Sequence, residues 1–446
     1  DGLAHTVTSP VYELTATITD DSNNPLMDHN FAFKIGEDEV PATYYASEGV
    51  YKATYTFRQP GTYAISTGSY EDADITTSVV TFESPLSTLQ DLIDAAIANG
   101  ESSLELDYGF AYIESHDAAA AATGIVIPSD FTIIGNGVTI DGGHASRIFT
   151  VNGGTLTLSN VTLANGKADD GAAVYLASDA KLDATSTTFK DNVATYSGGA
   201  IYTEGGEIVL TDSLIDNNDV EDTTKNNGTG GAAIFAKNAQ VTLVNTNVTN
   251  NGRRELDRTN LDLVDAVVTL KNTDAEITGG LFENNTGIYG GAIYADGNNE
   301  TTLTVTGATF NNNKAYNGAA IDINNMKTSI SGSTFTNNFV VGPGSTGYYA
   351  AGGAIAASGG GSFALEDSIF TANMATGEGA WAGAVAVGLE NNNSASITGC
   401  TFSGNTATDK ADSIFNYGYL SLSGNTMDTF IDLNGKLNSQ VNIVIN

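Results

Sequence analysis

The sequence is poor in cysteine, proline and basic residues, and each shortage excludes a class of protein. The single cysteine, Cys400, leaves no intramolecular disulfide and no cysteine-based metal cluster. Seven prolines in 446 residues exclude a collagen-like or proline-rich disordered chain. Lysine and arginine number 17 against 52 acidic residues, which gives a formal net charge of −35. So few cations cannot neutralise a phosphate backbone, and we therefore expect no nucleic-acid partner.

Long apolar runs are also missing. No stretch approaches the roughly 18 consecutive apolar residues of a membrane-spanning helix, and no basic segment followed by an apolar one opens the sequence. We expect no membrane insertion, and if the protein is exported its signal is absent from this numbering.

What the chain does contain is 41% hydrophobic residues and 50 glycines, with only 15% charged residues. Its neutral polar surface is then Asn, Thr, Ser and Gly, which favours turns and β-structure.

Residues 1–83 are typical of a small antiparallel sandwich. Short alternating segments such as Val11–Ile18 and Gly49–Phe57 are separated by turn clusters such as Asp20–Pro25. Six or seven such strands in about 80 residues fit an Ig-like β-sandwich module.

Residues 84–102 carry the one convincing helical pattern. Leu89, Leu92, Ile93, Ala96 and Ile97 recur at helical spacing. Ser87 with Gln90 three residues later predicts an N-terminal capping box, and Gly100 predicts the helix end. A single amphipathic helix before a long β-region predicts a cap on the end of a solenoid, because an uncovered end exposes strand edges.

From residue 103 to residue 446 the sequence repeats. One half-repeat is Gly-[Gly/Ala]-Ala-[Ile/Val], mostly followed by an aromatic residue, and its start-to-start distances are 27, 33, 59, 28, 34 and 30 residues. The interval of 59 holds two periods, with Ala266-Val-Val268 as a degenerate copy. The copies are Gly171-Ala-Ala-Val-Tyr175, Gly198-Gly-Ala-Ile-Tyr202, Gly231-Ala-Ala-Ile-Phe235, Gly290-Gly-Ala-Ile-Tyr294, Gly318-Ala-Ala-Ile321, Gly352-Gly-Ala-Ile355 and Ala382-Gly-Ala-Val385.

The other half-repeat is Phe-x-x-Asn, with degenerate copies predicted at Leu214/Asn217 and Val248/Asn251. A period near 30 residues in β-rich sequence is typical of a β-solenoid. Right-handed winding is the default for parallel crossovers, so we predict a right-handed parallel β-helix of roughly a dozen coils. Ile or Val of the first motif and Phe of the second should stack inside, and the Asn should form a ladder at a corner. The clear copies are Phe189/Asn192, Phe282/Asn285, Phe310/Asn313, Phe335/Asn338, Phe370/Asn373 and Phe402/Asn405.

These residues resemble the adhesin-like surface proteins of methanogenic archaea, and the repeats are similar to those of chlamydial polymorphic outer-membrane proteins. The resemblance implies a right-handed parallel β-helix, export to the cell surface, and attachment or surface-structure roles, with no catalytic residues to transfer. We expect no autotransporter barrel within these 446 residues, which departs from the chlamydial pattern. The runs that carry the resemblance to the adhesin-like proteins at the start of the repeat region are Leu89-Gln-Asp-Leu-Ile93, Leu104-Glu-Leu-Asp-Tyr108, Gly124-Ile-Val-Ile127, Thr132-Ile-Ile-Gly-Asn-Gly-Val-Thr-Ile-Asp-Gly142 and Arg147-Ile-Phe149.

We therefore expect an extracellular, non-enzymatic adhesin-like protein whose partner is a cell-surface glycan or protein, or other copies of itself. Specificity is expected in the inserted loops at about 217–230, 252–264, 341–351 and 376–382. Three of the five arginines, Arg253, Arg254 and Arg258, form a basic loop on the acidic chain. They and Trp381, a possible sugar-stacking residue beside Tyr348 and Tyr349, are the candidate ligand-binding residues. The plain alternative for each is a solvated loop or a rim residue.

Metal binding and glycosylation are two further expectations. We expect no cofactor unless calcium binds, because hard oxygen ligands crowd turns such as the one holding Asp216 and Asp219. Neither an EF-hand nor a calcium-binding repeat pattern is present. Asn-x-Ser/Thr sequences are candidate glycosylation sites, and they begin at Asn160, Asn227, Asn247, Asn284, Asn299 and Asn392.

Two alternative functions stay open. The end of the sequence, Val441-Asn-Ile-Val-Ile445, alternates apolar residues, so strand 440–446 is a candidate donor strand for a filament or sheath subunit, with Val441, Ile443 and Ile445 as its contacts. Some β-helix proteins are polysaccharide lyases or hydrolases, which need clustered carboxylates and a basic residue. Asp169-Asp170 is one such pair, although an acidic turn before a repeat glycine is the plainer interpretation. His144 likewise fits a solvated loop.

Overall fold

The chain folds into an N-terminal sandwich followed by a long parallel solenoid. No helix among the described residues is long and apolar enough to cross a membrane. The computed structural model describes residues 4–20, 22–27, 30–67, 78–221, 230–252, 266–341, 351–377, 380–389, 393–416 and 419–428, and describes the strands at 432–433, 436–437 and 442–445 by their backbone.

Seven strands form the sandwich, in the order β1-β7-β6-β3-β4-β5-β2. All pairings are antiparallel except that of β1 with β7, and β4 pairs with both β3 and β5, so it links the two sheets. Phe33, Tyr51, Phe57 and Phe82 are buried in the core between the sheets, which confirms the sandwich predicted from the alternation. The strands are β1 (Ala4–Val7), β2 (Val11–Ala16), β3 (Phe31–Ile35), β4 (Asp38–Tyr45), β5 (Val50–Thr56), β6 (Gly61–Thr67) and β7 (Ser78–Phe82).

A helix covers the first coil of the solenoid. It is α1 (Leu86–Ala98), and its buried residues include Leu89 and Ile93, as the apolar spacing predicts. The predicted Ser87 cap is wrong, because Pro85 occupies the N-cap position and no side chain caps from there. The carboxylate of Asp117 accepts hydrogen bonds from the backbone N–H of Leu86 at 3.2 Å and of Ser87 at 2.9 Å. A residue thirty positions away therefore replaces the local cap, which sequence spacing does not reveal.

Gln90 also differs from its predicted role in a capping box. Its Oε1 accepts from the backbone N–H of Val126 at 2.6 Å, and its Nε2 donates to the Val126 carbonyl at 3.2 Å. One amide side chain thus pairs with both backbone groups of a strand in the first coil. This pairing protects an edge that otherwise offers unpaired N–H and C=O groups to another chain.

The solenoid is built from short strands and one further helix. The elements are β8 (Ser103–Glu105), β9 (Phe110–Ala111), α2 (Glu114–Asp117), β10 (Ile125–Ile127), β11 (Phe131–Ile134), β12 (Thr139–Asp141), β13 (Phe149–Val151), β14 (Thr155–Ser159), β15 (Thr162–Ala164), β16 (Lys167–Asp170), β17 (Val174–Leu176), β18 (Lys181–Thr185), β19 (Thr188–Lys190), β20 (Val193–Ser197), β21 (Ile201–Glu204), β22 (Glu207–Thr211), β23 (Leu214–Asp216), β24 (Asp219–Val220), β25 (Ile234–Lys237), β26 (Gln240–Val244), β27 (Asn247–Thr249) and β28 (Val268–Lys271). They continue as β29 (Asp274–Thr278), β30 (Leu281–Glu283), β31 (Ile293–Asp296), β32 (Thr302–Thr306), β33 (Thr309–Asn311), β34 (Lys314–Ala315), β35 (Ile321–Ser331), β36 (Thr334–Thr336), β37 (Phe339–Val341), β38 (Ile355–Glu366), β39 (Ile369–Thr371), β40 (Met374–Thr376), β41 (Val385–Leu389), β42 (Ser394–Thr398), β43 (Thr401–Ser403), β44 (Thr406–Ala407), β45 (Ile414–Asn416), β46 (Tyr419–Met427), β47 (Asp432–Leu433), β48 (Lys436–Leu437) and β49 (Asn442–Ile445).

Each strand pairs in parallel with its counterpart one coil later, so repeat residues stack in columns. Ile201 pairs with Val174 and Ile234, and Ile293 pairs with the degenerate-copy Val268 and with Ile321. Ile321 then pairs with Ile355. All of these side chains are fully buried. The predicted interior column of aliphatic residues is confirmed.

The phenylalanines of the second motif form another interior column. The rings of Phe282, Phe310, Phe335, Phe370 and Phe402 lie parallel in successive coils. Their centroids are 4.6–4.9 Å apart, which matches the spacing of adjacent strands. The strand pairing that aligns the backbone of successive coils therefore also stacks these rings.

The first glycine of the repeat motif makes the turn that precedes the buried aliphatic residue. Gly198 and Gly290 have positive φ angles of 63° and 68°. A Cβ at Gly290 would collide with the carbonyl oxygen of Ile293. Both the backbone conformation and the close approach therefore require glycine there.

A ladder of buried asparagines runs along one corner, as the Phe-x-x-Asn motif predicts. The Oδ1 of Asn313 accepts from the backbone N–H of Asn285 at 3.1 Å and from its Nδ2 at 3.0 Å. The Nδ2 of Asn313 donates to the carbonyl of Phe282 at 2.9 Å. Each asparagine thus satisfies corner groups that no strand pairs. The members, all buried, are Asn192, Asn218, Asn251, Asn285, Asn313, Asn338, Asn373 and Asn405.

One predicted member is wrong by a single residue. Asn218, not Asn217, occupies the ladder, and Ile215, not Leu214, faces the core. Asn217 has a φ of 54° and its exposed side chain donates to Asp191 at 2.6 Å. Because two asparagines follow one another, the sequence does not show which of them is buried. In the structure the first, Asn217, is the left-handed turn residue, and the second, Asn218, is buried in the ladder.

Replacing a ladder residue should destabilise the solenoid strongly. Asn313→Ala removes four buried side-chain hydrogen bonds and leaves the backbone N–H of Asn285 unpaired, so we expect a loss of about 2–4 kcal/mol in the free energy of unfolding. Urea denaturation followed by circular dichroism measures it. The control Asn311→Ala loses one partly exposed bond to Glu283 and should cost less than about 1 kcal/mol. Equal losses in the two variants would contradict the ladder's role.

Candidate functional site

One row of outward-pointing side chains follows the buried aliphatic column along the solenoid. Because side chains alternate along a strand, the residue after each buried Ile or Val points away from the core. Parallel pairing places these residues next to one another in successive coils. The row continues through Ala356 and Ala386 to Phe415. We call its stretch from Thr150 to Asp322 the outer row, and the members of that stretch are Thr150, Tyr175, Tyr202, Phe235, Thr269, Tyr294 and Asp322.

Three aromatic rings stack in the first half of the outer row. The centroids of Tyr175 and Tyr202 are 5.4 Å apart with an interplanar angle of 13°, and those of Tyr202 and Phe235 are 5.3 Å apart at 6°. The faces of the rings therefore cover one another. Phe235 is buried, so the part of the stack that remains accessible is the half-buried Tyr175 and Tyr202, whose hydroxyls act as hydrogen-bond donors and acceptors.

A cation lies at each end of this stack. The guanidinium carbon of Arg147 is 4.9 Å from the centroid of Tyr175, and the Nζ of Lys271 is 5.7 Å from that of Phe235. Arg147 donates from Nη2 to the carbonyl of Asp170 at 3.0 Å and from Nη1 to the hydroxyl of Thr150 at 3.2 Å. Burial lowers the pKa of Arg147, and the neighbouring tyrosine and aspartates oppose that shift. The arginine is thus held by backbone and aromatic contacts.

Carboxylates flank the tyrosines. Glu204 accepts from the hydroxyl of Tyr202 at 3.0 Å and from the Nζ of Lys237 at 3.2 Å. Burial raises the pKa of Tyr202, and the bond to Glu204 raises it further. Asp170 is half-buried, and burial together with the charge of Asp169 raises its pKa. Hydroxyl donors and carboxylate acceptors therefore lie within a few coils of each other, an arrangement suited to binding the hydroxyls of a sugar.

The sequence pair Asp169-Asp170 does not form two equivalent carboxylates. Asp169 is exposed, while Asp170 is half-buried beside Arg147. His144 has a φ of 53° and an exposed side chain, in keeping with its expected place in a loop.

A polar groove of about 590 Å³ runs along the turns that follow the outer-row strands. Within it Lys181 pairs with Glu207 at 2.8 Å. Its amides and carboxylates come from successive coils, so it repeats along the solenoid axis. The lining residues are Asp179, Ala180, Lys181, Gly205, Gly206, Glu207, Asn238, Ala239, Gln240, Asn272, Asp274 and Asn298.

The last member of the outer row is a buried acid. Asp322 is 3% exposed, and it accepts from the Nδ2 of Asn317 at 2.7 Å. Burial raises the pKa of Asp322 to about 7, with a further contribution from Asp296. Two coils earlier the buried hydroxyl of Thr269 has no hydrogen-bond partner. This half of the row differs from the aromatic half, because its polar groups are enclosed.

Of the predicted ligand-binding residues, only Trp381 lies in the part of the chain that the structure describes. Trp381 is half-buried, and its ring packs against Phe415 with centroids 5.1 Å apart. Phe415 lies in the same column as the outer row, three coils beyond Asp322. Arg253, Arg254 and Arg258 lie outside the described residues, as do Tyr348 and Tyr349 and most of the inserted loops. Their binding role stays a prediction.

The predicted calcium ligands are engaged separately. Asp216 accepts from the hydroxyl of Thr249 at 2.6 Å and from the Nδ2 of Asn250 at 2.7 Å. Asp219 accepts from the backbone N–H of Val220 at 2.8 Å. Across the part of the chain that the structure describes, no three His, Cys, Asp or Glu side chains group as metal ligands do. Calcium binding stays a prediction.

The glycosylation candidates fall into two sets. Asn160, Asn247, Asn284 and Asn299 are exposed, while Asn227 and Asn392 lie outside the described residues. The Oδ1 of Asn284 accepts from Asn312 at 2.6 Å, and its Nδ2 donates to Asn250 at 3.3 Å. A sugar on that nitrogen would replace the second bond. Glycosylation at all of these positions stays a prediction.

The candidate donor strand lies within the same solenoid. Ile443 and Ile445 belong to β49, whose residues pair in parallel with β46, Ile445 facing Met427. Val441 lies outside the described residues. Donation to another molecule would have to use the strand's other edge or break this pairing, and self-assembly stays a prediction.

Sequence reasoning missed the role of Arg147 and the clustering around Tyr202. The signal was present, since the fifth motif position is aromatic in Tyr175, Tyr202 and Phe235. The motif was interpreted only through its inward residues, and the neighbours of an outward column depend on pairing across coils.

Comparison with known proteins confirms the fold class. A family model for the right-handed β-helix region matches residues 146–342. The chain is thus a right-handed parallel β-helix preceded by a sandwich module, as predicted. No curated protein matches the sequence.

Three solved structures are similar over most of the chain. The A-module of the Azotobacter vinelandii mannuronan C-5 epimerase AlgE4 is 14% identical, with a TM-score of 0.33, over 82% of this chain and 96% of that one. The catalytic domain of a GH87 α-1,3-glucanase in complex with tetrasaccharides is 11% identical, with a TM-score of 0.32, over 94% and 89%. The AlgE6 A-module from the same bacterium is 13% identical, with a TM-score of 0.31, over 82% and 96%.

These comparisons correct the expectation that the chain is not an enzyme. The similar structures are two epimerase modules and a glucanase, all of them from enzymes. At identities of 11–14% the likeness concerns the fold and transfers neither a substrate nor a catalytic residue.

The buried Asp322 should make stability depend on pH. Its pKa rises from 3.8 to about 7 on folding, so the unfolded chain loses this proton first, and stability falls as pH rises through that window. Asp322→Asn removes this loss. We expect its melting temperature to exceed that of the parent by about 3 °C or more at pH 8 and to match it near pH 4.

Thermal unfolding followed by circular dichroism at both pH values checks this expectation. The control Glu276→Gln replaces an exposed carboxylate and should leave the difference between the two pH values unchanged. An Asp322→Asn variant that is destabilised equally at both pH values would show that folding does not raise the pKa of Asp322.

Proposed function

We propose that this chain is an extracellular, adhesin-like surface protein that binds a neutral polysaccharide along the outer row and the adjoining groove. The observation that carries the proposal is the group of Tyr202, Glu204 and Arg147 at the outer row, in which the exposed carboxylate of Glu204 accepts from the half-buried hydroxyl of Tyr202 at 3.0 Å. Hydroxyl-rich ligands need such paired groups, because each sugar hydroxyl both donates and accepts.

The charge of the chain favours a neutral ligand. A net charge of −35 repels a polyanion, whereas the hydroxyls of a neutral sugar donate readily to carboxylates such as Glu204 and Asp179. The groove also repeats with the coils, at a spacing close to the length of one sugar ring in an extended chain. A linear polysaccharide lying along the axis would meet similar groups at each coil.

Binding should depend on the Tyr202–Glu204 pair. Tyr202→Phe keeps the aromatic stack and removes the hydroxyl, and Glu204→Gln removes the charge. We expect the double variant to bind a responsive polysaccharide about tenfold more weakly, since bonds to charged groups are lost. Affinity electrophoresis with dextran, mannan and laminarin measures the change.

The matched control for that experiment is Glu276→Gln, which changes the net charge by the same amount as Glu204→Gln at an exposed carboxylate that lies neither in the outer row nor in the lining of the groove. It should bind like the parent. If none of the three polysaccharides retards the parent protein, or if the control loses affinity equally, the outer row is not the binding face.

Cleavage of such a polysaccharide is a second candidate function, favoured by Asp170. A half-buried carboxyl with a raised pKa can deliver a proton to a glycosidic oxygen, and Arg147 and Asp169 lie beside it. For this second function, the polysaccharide must extend from the outer row to β16, the strand that carries Asp170.

Release of oligosaccharides tests the cleavage candidate. If Asp170 is the acid, Asp170→Asn should lower the rate by about 100-fold or more while leaving affinity for the polysaccharide largely unchanged. Asp183→Asn, a carboxylate on the neighbouring β18, is the control and should retain full activity. Intact substrates after long incubation with the parent protein, with calcium present, would eliminate cleavage.

A further inference from the structure

The sandwich and the solenoid meet in a fixed junction. Tyr108 packs against Phe82 of the sandwich with centroids 5.8 Å apart, and against Phe110 of the solenoid at 5.1 Å. The backbone N–H of Gly109 donates to the carbonyl of Arg58 at 2.8 Å. A Cβ at Gly109 would collide with Gln59 and with the backbone of the next coil, so the two parts are in close contact here.

A cleft of about 600 Å³ lies at this junction. Clefts of this size at the boundary of two packed parts are where small ligands bind most often, and a fixed junction spares a ligand the cost of ordering the site. The residues that line it include Val11, Thr56, Arg58, Asp107, Tyr108 and Asn136.

The arginine in the cleft has unused donors. Arg58 is exposed, donates from Nη2 to the carbonyl of Asn136 at 3.0 Å, and forms no ion pair with any described residue. A guanidinium carries five N–H donors, so most remain for a ligand. It is one of the two arginines in the described part of the chain, and the other, Arg147, is held by backbone carbonyls and the outer row.

The other side of the cleft supplies an acceptor and an apolar wall. Asp107 is exposed, and its carboxylate has no hydrogen-bond partner among the described residues. Val11 is 54% exposed, one of the most exposed large hydrophobic side chains described, and it lies beside the half-buried ring of Tyr108. A cation, an anion and an apolar surface therefore line one cavity.

We propose that the junction cleft binds a neutral mono- or disaccharide, with Arg58 donating to sugar hydroxyls, Asp107 accepting from them, and Val11 and Tyr108 contacting the apolar face of the ring. The charges of Arg58 and Asp107 balance, so the cleft has no preference for an anion or a cation. The neighbouring Glu105, which Asn136 engages at 2.9 Å, makes an acidic sugar a poorer ligand still. The site is independent of the outer row.

Saturation-transfer NMR with cellobiose, maltose, lactose and glucuronate tests the site on the whole chain. We expect at least one of the three neutral disaccharides to receive saturation and to bind about tenfold more weakly in Arg58→Gln and in Asp107→Asn. Asp107 is exposed, so its variant keeps the test valid if Arg58→Gln loosens the junction. Lys34→Gln, which removes an exposed cation elsewhere on the sandwich, should bind like the parent.

The outcomes separate this site from the outer row. Binding that survives Tyr202→Phe with Glu204→Gln but falls in Arg58→Gln and Asp107→Asn supports the junction site, whatever the result for the outer row. Binding that falls only in the outer-row variant overturns it. So does an absence of transfer to all three disaccharides, a stronger response to glucuronate, or an equal loss in Lys34→Gln.

Discussion

The structure depends on the satisfaction of backbone polar groups at the corners of each coil by side chains from adjacent coils. Strands pair only along their straight segments, and the corners would otherwise bury unpaired N–H and C=O groups. The asparagine ladder supplies the missing partners, because one amide both accepts and donates along the axis. Since each member bonds the members before and after it, a coil is satisfied only when its neighbours are in register.

That register has a functional consequence, because it aligns the outside of the solenoid as strictly as the inside. Stacking Ile201 on its counterparts also stacks Tyr202 on Tyr175 and Phe235. Arg147 and Lys271 then lie over the outer rings of the stack. The outer row thus follows from core packing, and aromatic and charged side chains at particular coils are therefore repeated at the coil spacing.

Each of the two candidate binding regions contains one of the few arginines of this acidic chain, together with carboxylates. The two described arginines are oriented by backbone carbonyls, Arg147 by those of Asp170 and Gly171 and Arg58 by that of Asn136. Such contacts fix a guanidinium without neutralising it. Each site therefore retains a local charge balance that differs from the overall charge of −35 and suits hydroxyl-bearing ligands better than polyanions.

The sequence by itself determined the repeat, the two interior columns, the sandwich and the capping helix, because these follow from local alternation and from a period that recurs along the chain. It did not determine that Asp117 caps the helix, that Asn218 rather than Asn217 joins the ladder, or that Arg147 lies over Tyr175. Tertiary structure decided those contacts, since they join residues from different coils or different elements. The junction cleft of Arg58 and Asp107 is of the same kind, for its two halves come from the sandwich and the solenoid, which no sequence period relates.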